Sequence, residues 1–133
     1  MKKIIFLSAI ALLCASMVFA IAQKDLAALK GTWQGTATGG GGGTCNVTIE
    51  IMNDTEPLQG KMTFTNIPAK VKTDWALTEP HVTESNDGKI TSAGTIMFTG
   101  PTGFFEITKI AGNKLSGWGY SMGFKGDVSA TKK

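Results

Sequence analysis

The stretch Asp25–Gly35, DLAALKGTWQG, carries the pattern that decides the fold. Asp25 is a residue type favoured at helix N-caps, and the leucines and alanines after it favour a helix. Gly31 suits the exit from such a helix. Leu26 and Leu29 are three positions apart and therefore share one helix face. The stretch predicts a short helix with an apolar face, followed at once by a strand.

Turn-forming clusters follow this stretch at intervals of about eight to twelve residues, with alternating polar and apolar runs between them. In the clearest run, Cys45, Val47, Ile49 and Ile51 alternate with polar residues. Short reversals between the runs imply antiparallel neighbours, and eight such strands can close on themselves. We therefore predict an all-β fold, an eight-stranded antiparallel up-and-down barrel with a short N-terminal helix; a two-sheet β-sandwich is the alternative. The predicted strands are Gly31–Thr38, Cys45–Asn53, Leu58–Asn66, Val71–Thr78, Lys89–Thr99, Gly103–Ile110, Lys114–Phe124 and Gly126–Thr131.

Residues 1–22, MKKIIFLSAIALLCASMVFAIA, have the pattern of a secretory signal peptide. Lys2 and Lys3 precede an uncharged block, and small residues allow cleavage after Ala20 or Ala22. The alternative is an uncleaved anchor, because the block is almost long enough to span a bilayer. We predict cleavage, export to the periplasm or the extracellular space, no membrane span after cleavage, and one domain over residues 23–133.

The charge of the chain argues against a nucleic-acid partner. The sequence has thirteen lysines, ten carboxylates and no arginine. Loss of Lys2 and Lys3 with the signal leaves eleven lysines, a formal charge of +1. Recognition of phosphate and guanine favours the planar fork of arginine, and the lysines form no cluster. We therefore predict no nucleic-acid partner.

Residue types that build catalytic and metal sites are scarce. His81 is the only histidine and lies in TEPHVTESNDG, whose composition predicts a loop with solvated charges. Cys45 lies in an alternating run, which predicts a buried and unreactive thiol. The run Gly39–Gly43 lacks the lysine and the following helix of a phosphate loop, and predicts a hairpin loop. We predict no catalytic residue, no metal site, no cofactor and no enzymatic activity.

The segment Leu115–Phe124, LSGWGYSMGF, alternates large and small side chains. Trp118, Tyr120, Met122 and Phe124 share one face, and glycines dominate the other. We predict that the large side chains fill the barrel interior while the glycines allow the strand to curve. The alternative interpretation turns the aromatic side chains outward, as a patch for a partner.

Gly31-Thr32-Trp33, preceded by the short helix, resembles the opening of calycin proteins, the group that includes lipocalins, fatty-acid-binding proteins and avidins. The strand count and the hairpin order are similar as well. The resemblance implies a barrel whose floor is closed by Trp33 beneath a basic residue of the last strand, either Lys125 or Lys132. The glycine-rich C-terminal part looks like that of small exported bacterial barrels.

These patterns together predict an exported, non-enzymatic binding barrel for a small apolar or aromatic molecule. Trp75, Trp118 and Tyr120 are the predicted ligand-binding residues near the mouth, since such sites are concave and mostly apolar. The alternative is a protein-binding module, such as an inhibitor of a secreted hydrolase. A cavity inside the barrel favours the first function, and a filled barrel with an exposed aromatic face favours the second.

Overall fold

The computed structural model describes residues 21–39, 43–121 and 124–133, without the side chains of Trp75 and Phe124. The predicted signal peptide up to residue 20 lies outside the described residues. Among the residues described, no helix is both long and apolar enough to cross a bilayer.

Eight antiparallel strands form a closed barrel in which each strand pairs with its neighbours in sequence order. The first strand also pairs with the last, with Trp33 opposite Lys132 and Gly39 opposite Gly126. The predicted up-and-down barrel is therefore confirmed. The strands are β1 (Gly31–Gly39), β2 (Thr44–Ile51), β3 (Leu58–Thr65), β4 (His81–Ile90), β5 (Ile96–Gly100), β6 (Gly103–Ala111), β7 (Lys114–Ser121) and β8 (Phe124–Lys132).

The interior of the barrel follows the predicted alternation along β2. Cys45, Val47, Ile49 and Ile51 are all buried, each with at most 2% of its surface exposed. Burial raises the pKa of the Cys45 thiol, because desolvation disfavours the thiolate. The prediction of a buried thiol is therefore confirmed.

A short helical segment closes one end of the barrel. A 3₁₀ turn, Gln23–Asp25, leads into helix α1, Leu26–Leu29, and both leucines of α1 are fully buried. The carboxylate of Asp25 accepts a hydrogen bond from the backbone N–H of Ala22 at 2.9 Å and does not cap α1. The helix therefore plugs the barrel as predicted. Asp25 occupies its N-cap position as predicted, although the Asp25 side chain makes no capping hydrogen bond to α1.

Trp33 lies at the floor of the barrel, directly above this plug. The Trp33 side chain is fully buried, and its indole N–H donates to the carbonyl of Leu29 at 2.8 Å. Lys132 lies over the ring, with Nζ 5.7 Å from the ring centroid. Gly31 has a φ of 133°, and a Cβ there would lie 3.1 Å from the Lys132 side chain. Gly31 therefore provides backbone freedom and space beside the lysine that covers Trp33.

The predicted fourth strand, Val71–Thr78, is wrong, because this segment forms helix α2, Ala69–Trp75. The helix follows Pro68, and Ala76 ends it in the left-handed conformation with a φ of 51°. The side chain of Val71 is partly buried and packs against the core. A helix of seven residues shows too few turns for its period to be separated from the alternation of a strand.

The loop predicted around His81 is also wrong, because it forms β4. The predicted fifth strand, Lys89–Thr99, is divided between β4 and β5 by a turn at residues 91–95. Asp87, which belongs to the stretch that we predicted as a loop, lies within β4, where its carboxylate accepts a hydrogen bond from the Thr99 N–H at 2.9 Å. A hydrogen bond from the Ser85 hydroxyl, together with the one from the Thr99 N–H, lowers the pKa of the Asp87 carboxyl. The ladder between β4 and β5 pairs only Lys89 with Met97 and Ile90 with Ile96, and beyond it the Asp87 carboxylate accepts from the Thr99 N–H in place of a backbone carbonyl.

The barrel end opposite α1 is covered by α2, and we call it the capped end. The β1–β2 hairpin turns at this end, closed by a hydrogen bond from the Gly39 N–H to the Gly43 carbonyl at 2.9 Å. The predicted hairpin therefore joins these strands, and residues 40–42 of the glycine run lie outside the described part. Gly43 lies next to α2, since a Cβ there would be 3.1 Å from Pro68 and 3.4 Å from Val71.

Candidate functional site

The described side chains of β7 have the orientation opposite to the one we predicted. Leu115 and Ser121 are buried, whereas Trp118 is half-buried and Tyr120 is 42% exposed on the outer surface. The interior beside β7 is filled from β6, because a Cβ at Gly119 would lie 3.5 Å from the Cβ of Phe105. The glycine face therefore makes room for a neighbouring phenylalanine. Met122 and the side chain of Phe124, which belong to the same prediction, lie outside the described residues.

Three aromatic side chains pack together on the outer surface of β6 and β7. Phe104 lies directly opposite Tyr120 in the strand register. Its ring stacks on Tyr120 with a centroid distance of 5.9 Å and meets Trp118 edge to face at 4.9 Å. We call Phe104, Trp118 and Tyr120 the aromatic face. Their mutual packing turns part of each ring surface toward a neighbouring ring, so the three rings cover one another in part.

Polar neighbours fix the orientation of Trp118. Its indole N–H donates to Glu106 Oε1 at 2.7 Å, and the Thr95 hydroxyl donates to Glu106 Oε2 at 2.8 Å. Lys125 lies over the indole with Nζ 5.0 Å from the ring centroid, the geometry of a cation–π contact. Lys125 was one of the two lysines considered for the floor of the barrel, and it covers this outer tryptophan instead. The aromatic face is therefore preorganised.

The structure brings two of the three predicted ligand-binding residues together. Trp118 and Tyr120 lie two positions apart on the outer face of β7. Tyr120 also contributes to the lining of a small cavity at the capped end. Trp75 is the last residue of α2, and the prediction for its side chain lies outside the described part of the structure.

The described part of the barrel interior is almost filled. Two cavities lie near the capped end, each about 10 Å³ and thus about large enough for one water molecule. Both cavities touch Phe64 and Ser121. In this conformation neither cavity accommodates a molecule of several ring atoms.

A cluster of buried polar side chains, which the sequence pattern did not reveal, lies beside these cavities. His81 is 7% exposed, and its Nε2 lies 2.7 Å from the Ser121 hydroxyl oxygen across the barrel interior. Thr83 and Ser85 are also buried on the inner face of β4. The alternation of His81, Thr83 and Ser85 with Val82 and Glu84 could have revealed a strand, but polar residues on both faces concealed it.

His81 is held neutral at ordinary pH. Burial lowers the pKa of its imidazole, because desolvation disfavours the charged ring. The ring stacks on Phe64 with a centroid distance of 6.1 Å. A neutral imidazole has one donor and one acceptor nitrogen, so the His81–Ser121 pair can both give and accept a hydrogen bond.

Within residues 21–39, 43–121 and 124–133, no three His, Cys, Asp or Glu side chains are grouped to hold a metal ion. No protein-family model, curated protein or solved structure matches the chain in any of the three comparisons with known proteins. Functional inference therefore depends on the aromatic face and the polar cluster themselves.

Proposed function

We propose that the protein is a non-enzymatic binding module that docks onto a partner protein through its aromatic face. The observation that carries this proposal is the outward orientation of Trp118 and Tyr120, next to a nearly filled barrel interior. Aromatic side chains on a rigid surface supply large contact area at a low entropic cost, and they are enriched among residues that dominate binding energy.

The packing of the three rings favours a protein over a carbohydrate as the partner. A sugar ring lies flat on an exposed aromatic surface, whereas Lys125 covers the Trp118 ring and Phe104 packs against both neighbours. Aromatic side chains are enriched in protein–protein interfaces, where they pack against the partner's surface. Glu106 and Lys125 give the face one charge of each sign, which suits a polar rim on the partner.

The proposal includes the location of the protein outside the cytoplasm and its placement among calycin-like proteins. The export pattern of residues 1–22 supports a location in the periplasm or the extracellular space, where a secreted hydrolase would be a suitable partner. The closed barrel and its Trp33 floor support placement among calycin-like proteins. Together they describe an exported calycin-like module that acts by occupying the surface of another protein.

Site-specific photo-crosslinking tests the proposal. A photoreactive phenylalanine analogue replaces Tyr120 in the protein expressed in its native host, and crosslinked proteins are identified by mass spectrometry. The matched control carries the analogue at Val82, which is 36% exposed on the outer surface of a different strand. We expect one dominant partner from position 120 and none from position 82.

Binding of that partner is then measured for Tyr120→Ala and Val82→Ala. A central aromatic side chain contributes about 1.4 kcal/mol or more, so we expect at least about a tenfold weaker Kd for Tyr120→Ala. Val82→Ala should bind like the wild type. The same crosslinks from both positions, or equal affinities of the two variants, would contradict docking through the aromatic face.

A further inference from the structure

The closed barrel brings together lysines that lie far apart in the sequence, at the end closed by α1, which we call the plug end. Lys30 follows α1, and Lys114 begins β7. Lys132 ends β8, and Lys133 follows it. The pairing of β7 with β8 places Lys114 opposite Thr131, next to Lys132. We call Lys30, Lys114, Lys132 and Lys133 the basic patch.

Hydrogen bonds fix the segments that carry the basic patch relative to one another. Lys132 Nζ donates to the carbonyl of Ala28 in α1 at 2.7 Å, and the Lys132 N–H donates to the turn between β6 and β7 at 2.7 Å. The Lys133 N–H donates to the carbonyl of Thr32, two residues after Lys30, at 2.9 Å. The patch therefore lies where α1, β1, β7 and β8 meet, on backbone that the barrel holds in place.

The charges of the basic patch are available to an outside partner. Lys30, Lys114 and Lys133 are exposed. Within residues 21–39, 43–121 and 124–133, the ion pairs involve only Lys70 and Lys72, both in α2. The chain without Lys2 and Lys3 has a formal charge of only +1, so the patch is a local excess of positive charge. Exposed charges more than about 10 Å apart are largely screened at physiological salt, so this local excess governs attraction at the plug end.

The carboxylates of the plug end have other neighbours. Asp25 accepts a backbone N–H of its own segment at 2.9 Å, and Glu56 accepts one from β4 at 2.8 Å. Asp54 and Glu56 belong to the turn between β2 and β3, which β1 separates from β8. Glu50 lies opposite Lys61 in the strand register. The acidic and basic side chains thus occupy different sectors of this end.

The predicted export segment joins the barrel at the same end. Ile21 is buried, and its N–H donates to the carbonyl of Gly94, in the turn between β4 and β5, at 2.8 Å. The uncharged block that directly precedes Ile21 in the sequence has the pattern of a segment that engages a membrane during export. The plug end is therefore the end of the barrel that is linked to the bilayer when the chain is exported.

We propose that the plug end is a docking surface for an anionic lipid bilayer, to which the basic patch binds peripherally. Clustered lysines are attracted to anionic headgroups, and the attraction decays within a Debye length of the surface. Both leucines of α1 are buried inside the barrel, so this binding is electrostatic and does not depend on inserting them into the bilayer. It is therefore reversible and sensitive to salt.

Docking through the plug end gives the barrel a defined orientation on the bilayer. Lys114 begins β7 at the plug end, and Tyr120 lies six residues further along the same strand. Six residues of strand span about 20 Å, so the aromatic face lies well away from the headgroups. The two surfaces do not overlap, and the proposal does not rest on the function of the aromatic face.

Co-sedimentation of the purified exported protein with lipid vesicles tests the proposal. Vesicles of phosphatidylcholine alone are compared with vesicles in which about one lipid in three is phosphatidylglycerol, which carries a negative charge. At about 0.02 M salt we expect saturable binding to the anionic vesicles, at least about tenfold tighter than to the neutral ones. Salt at about 0.5 M should release the protein, because it screens the attraction between the lysines and the headgroups.

Two double variants with the same net charge test the position of the binding surface. Lys30→Gln/Lys114→Gln removes two exposed charges from the basic patch. Lys70→Gln/Lys125→Gln removes two exposed charges from α2 and from the start of β8, at the capped end. Each lysine near an anionic surface contributes about fivefold to binding, so we expect the first variant to bind about 25-fold more weakly. The second variant should bind within about twofold of the wild type.

Three results would overturn the proposal. The first is equal binding, or no binding, to the two kinds of vesicle, and the second is an equal loss in the two double variants. The third is binding of duplex DNA as tight as that of the anionic vesicles, which would show a general attraction to polyanions. If a variant does not fold, the wild-type protein with vesicles, salt and DNA decides the matter. Tyr120→Ala should bind the anionic vesicles like the wild type, so this proposal and the one for the aromatic face fail independently.

Discussion

Replacement of Trp33 by phenylalanine tests how the floor of the barrel is held. The indole is fully buried and donates a hydrogen bond to the Leu29 carbonyl at 2.8 Å, while Lys132 lies over the ring. Phenylalanine keeps an aromatic ring in the strand but has no N–H group and a smaller volume. The variant therefore removes the link between β1 and the helical plug without removing the aromatic character of the site.

The expected loss of stability has two parts. A buried carbonyl left without its donor costs about 1–3 kcal/mol. The missing ring atoms remove roughly 40 Å² of buried apolar contact, or about 1 kcal/mol at about 25 cal/mol per Å². Trp33→Phe should therefore lower the free energy of unfolding by about 2–4 kcal/mol. For a urea slope of about 2 kcal/mol per molar, the midpoint should fall by about 1–2 M.

Trp118→Phe is the matched control, because its indole N–H also donates to an oxygen atom, Glu106 Oε1 at 2.7 Å. Trp118 is only half-buried, and water can replace the lost donor, so we expect a loss below about 1 kcal/mol. Urea unfolding followed by far-ultraviolet circular dichroism measures both variants without depending on tryptophan fluorescence. Equal midpoint shifts for the two variants would refute the assignment of Trp33 as the buried link to the plug.

Three further predictions concern the strands, the interior and the N-terminus. Gly117→Ala should lower the melting temperature sharply in a thermal scan, because its Cβ would lie 2.0 Å from a backbone oxygen; Gly119→Ala, with 3.5 Å of room, should change it little. Because the pKa of His81 is lowered in the folded protein, the unfolded chain binds a proton more readily, and the free energy of unfolding should fall as the pH drops below about 6.5. His81→Gln should weaken this pH dependence, which urea titrations between pH 7.5 and 5.5 measure. Ile21 is buried, and its N–H donates to the carbonyl of Gly94 at 2.8 Å, so Ile21 is part of the folded domain. We therefore expect cleavage after Ala20, the first of the two predicted positions, and the intact mass of the exported protein should show an N-terminus at residue 21.

The barrel could be predicted from the sequence wherever one face of a strand is apolar and the other polar. Along β2, the apolar side chains from Cys45 to Ile51 follow a period of two and lie inside. The plug could be predicted because Leu26 and Leu29 share a helical face. In these segments the local sequence pattern agrees with the burial of the side chains in the fold, so the pattern alone is sufficient to predict the structure.

Prediction from the sequence failed where the buried face of a strand is not its apolar face. The inner face of β4 carries His81, Thr83 and Ser85, so its composition indicates a loop although its side chains lie in the interior. On β7 the glycines and not the aromatics face inward, because Phe105 of the neighbouring strand occupies the space. Which residue fills a shared space depends on the partner strand, and a single strand does not contain that information. Both candidate sites arise from these departures.

The pairing of β1 with β8 has a consequence for how the protein is made. Gly31–Gly39 has one of its two partners within a few residues, but the other, Phe124–Lys132, is the last strand to be synthesised. Until that strand emerges from the ribosome, β1 and β7 both retain an unpaired edge, and the cylinder stays open. One more backbone hydrogen bond, from the Lys133 N–H to the Thr32 carbonyl at 2.9 Å, joins the residue after β8 to β1. The barrel therefore closes only after β8 has been made, and a chain truncated before β8 would expose two unpaired strand edges that favour aggregation.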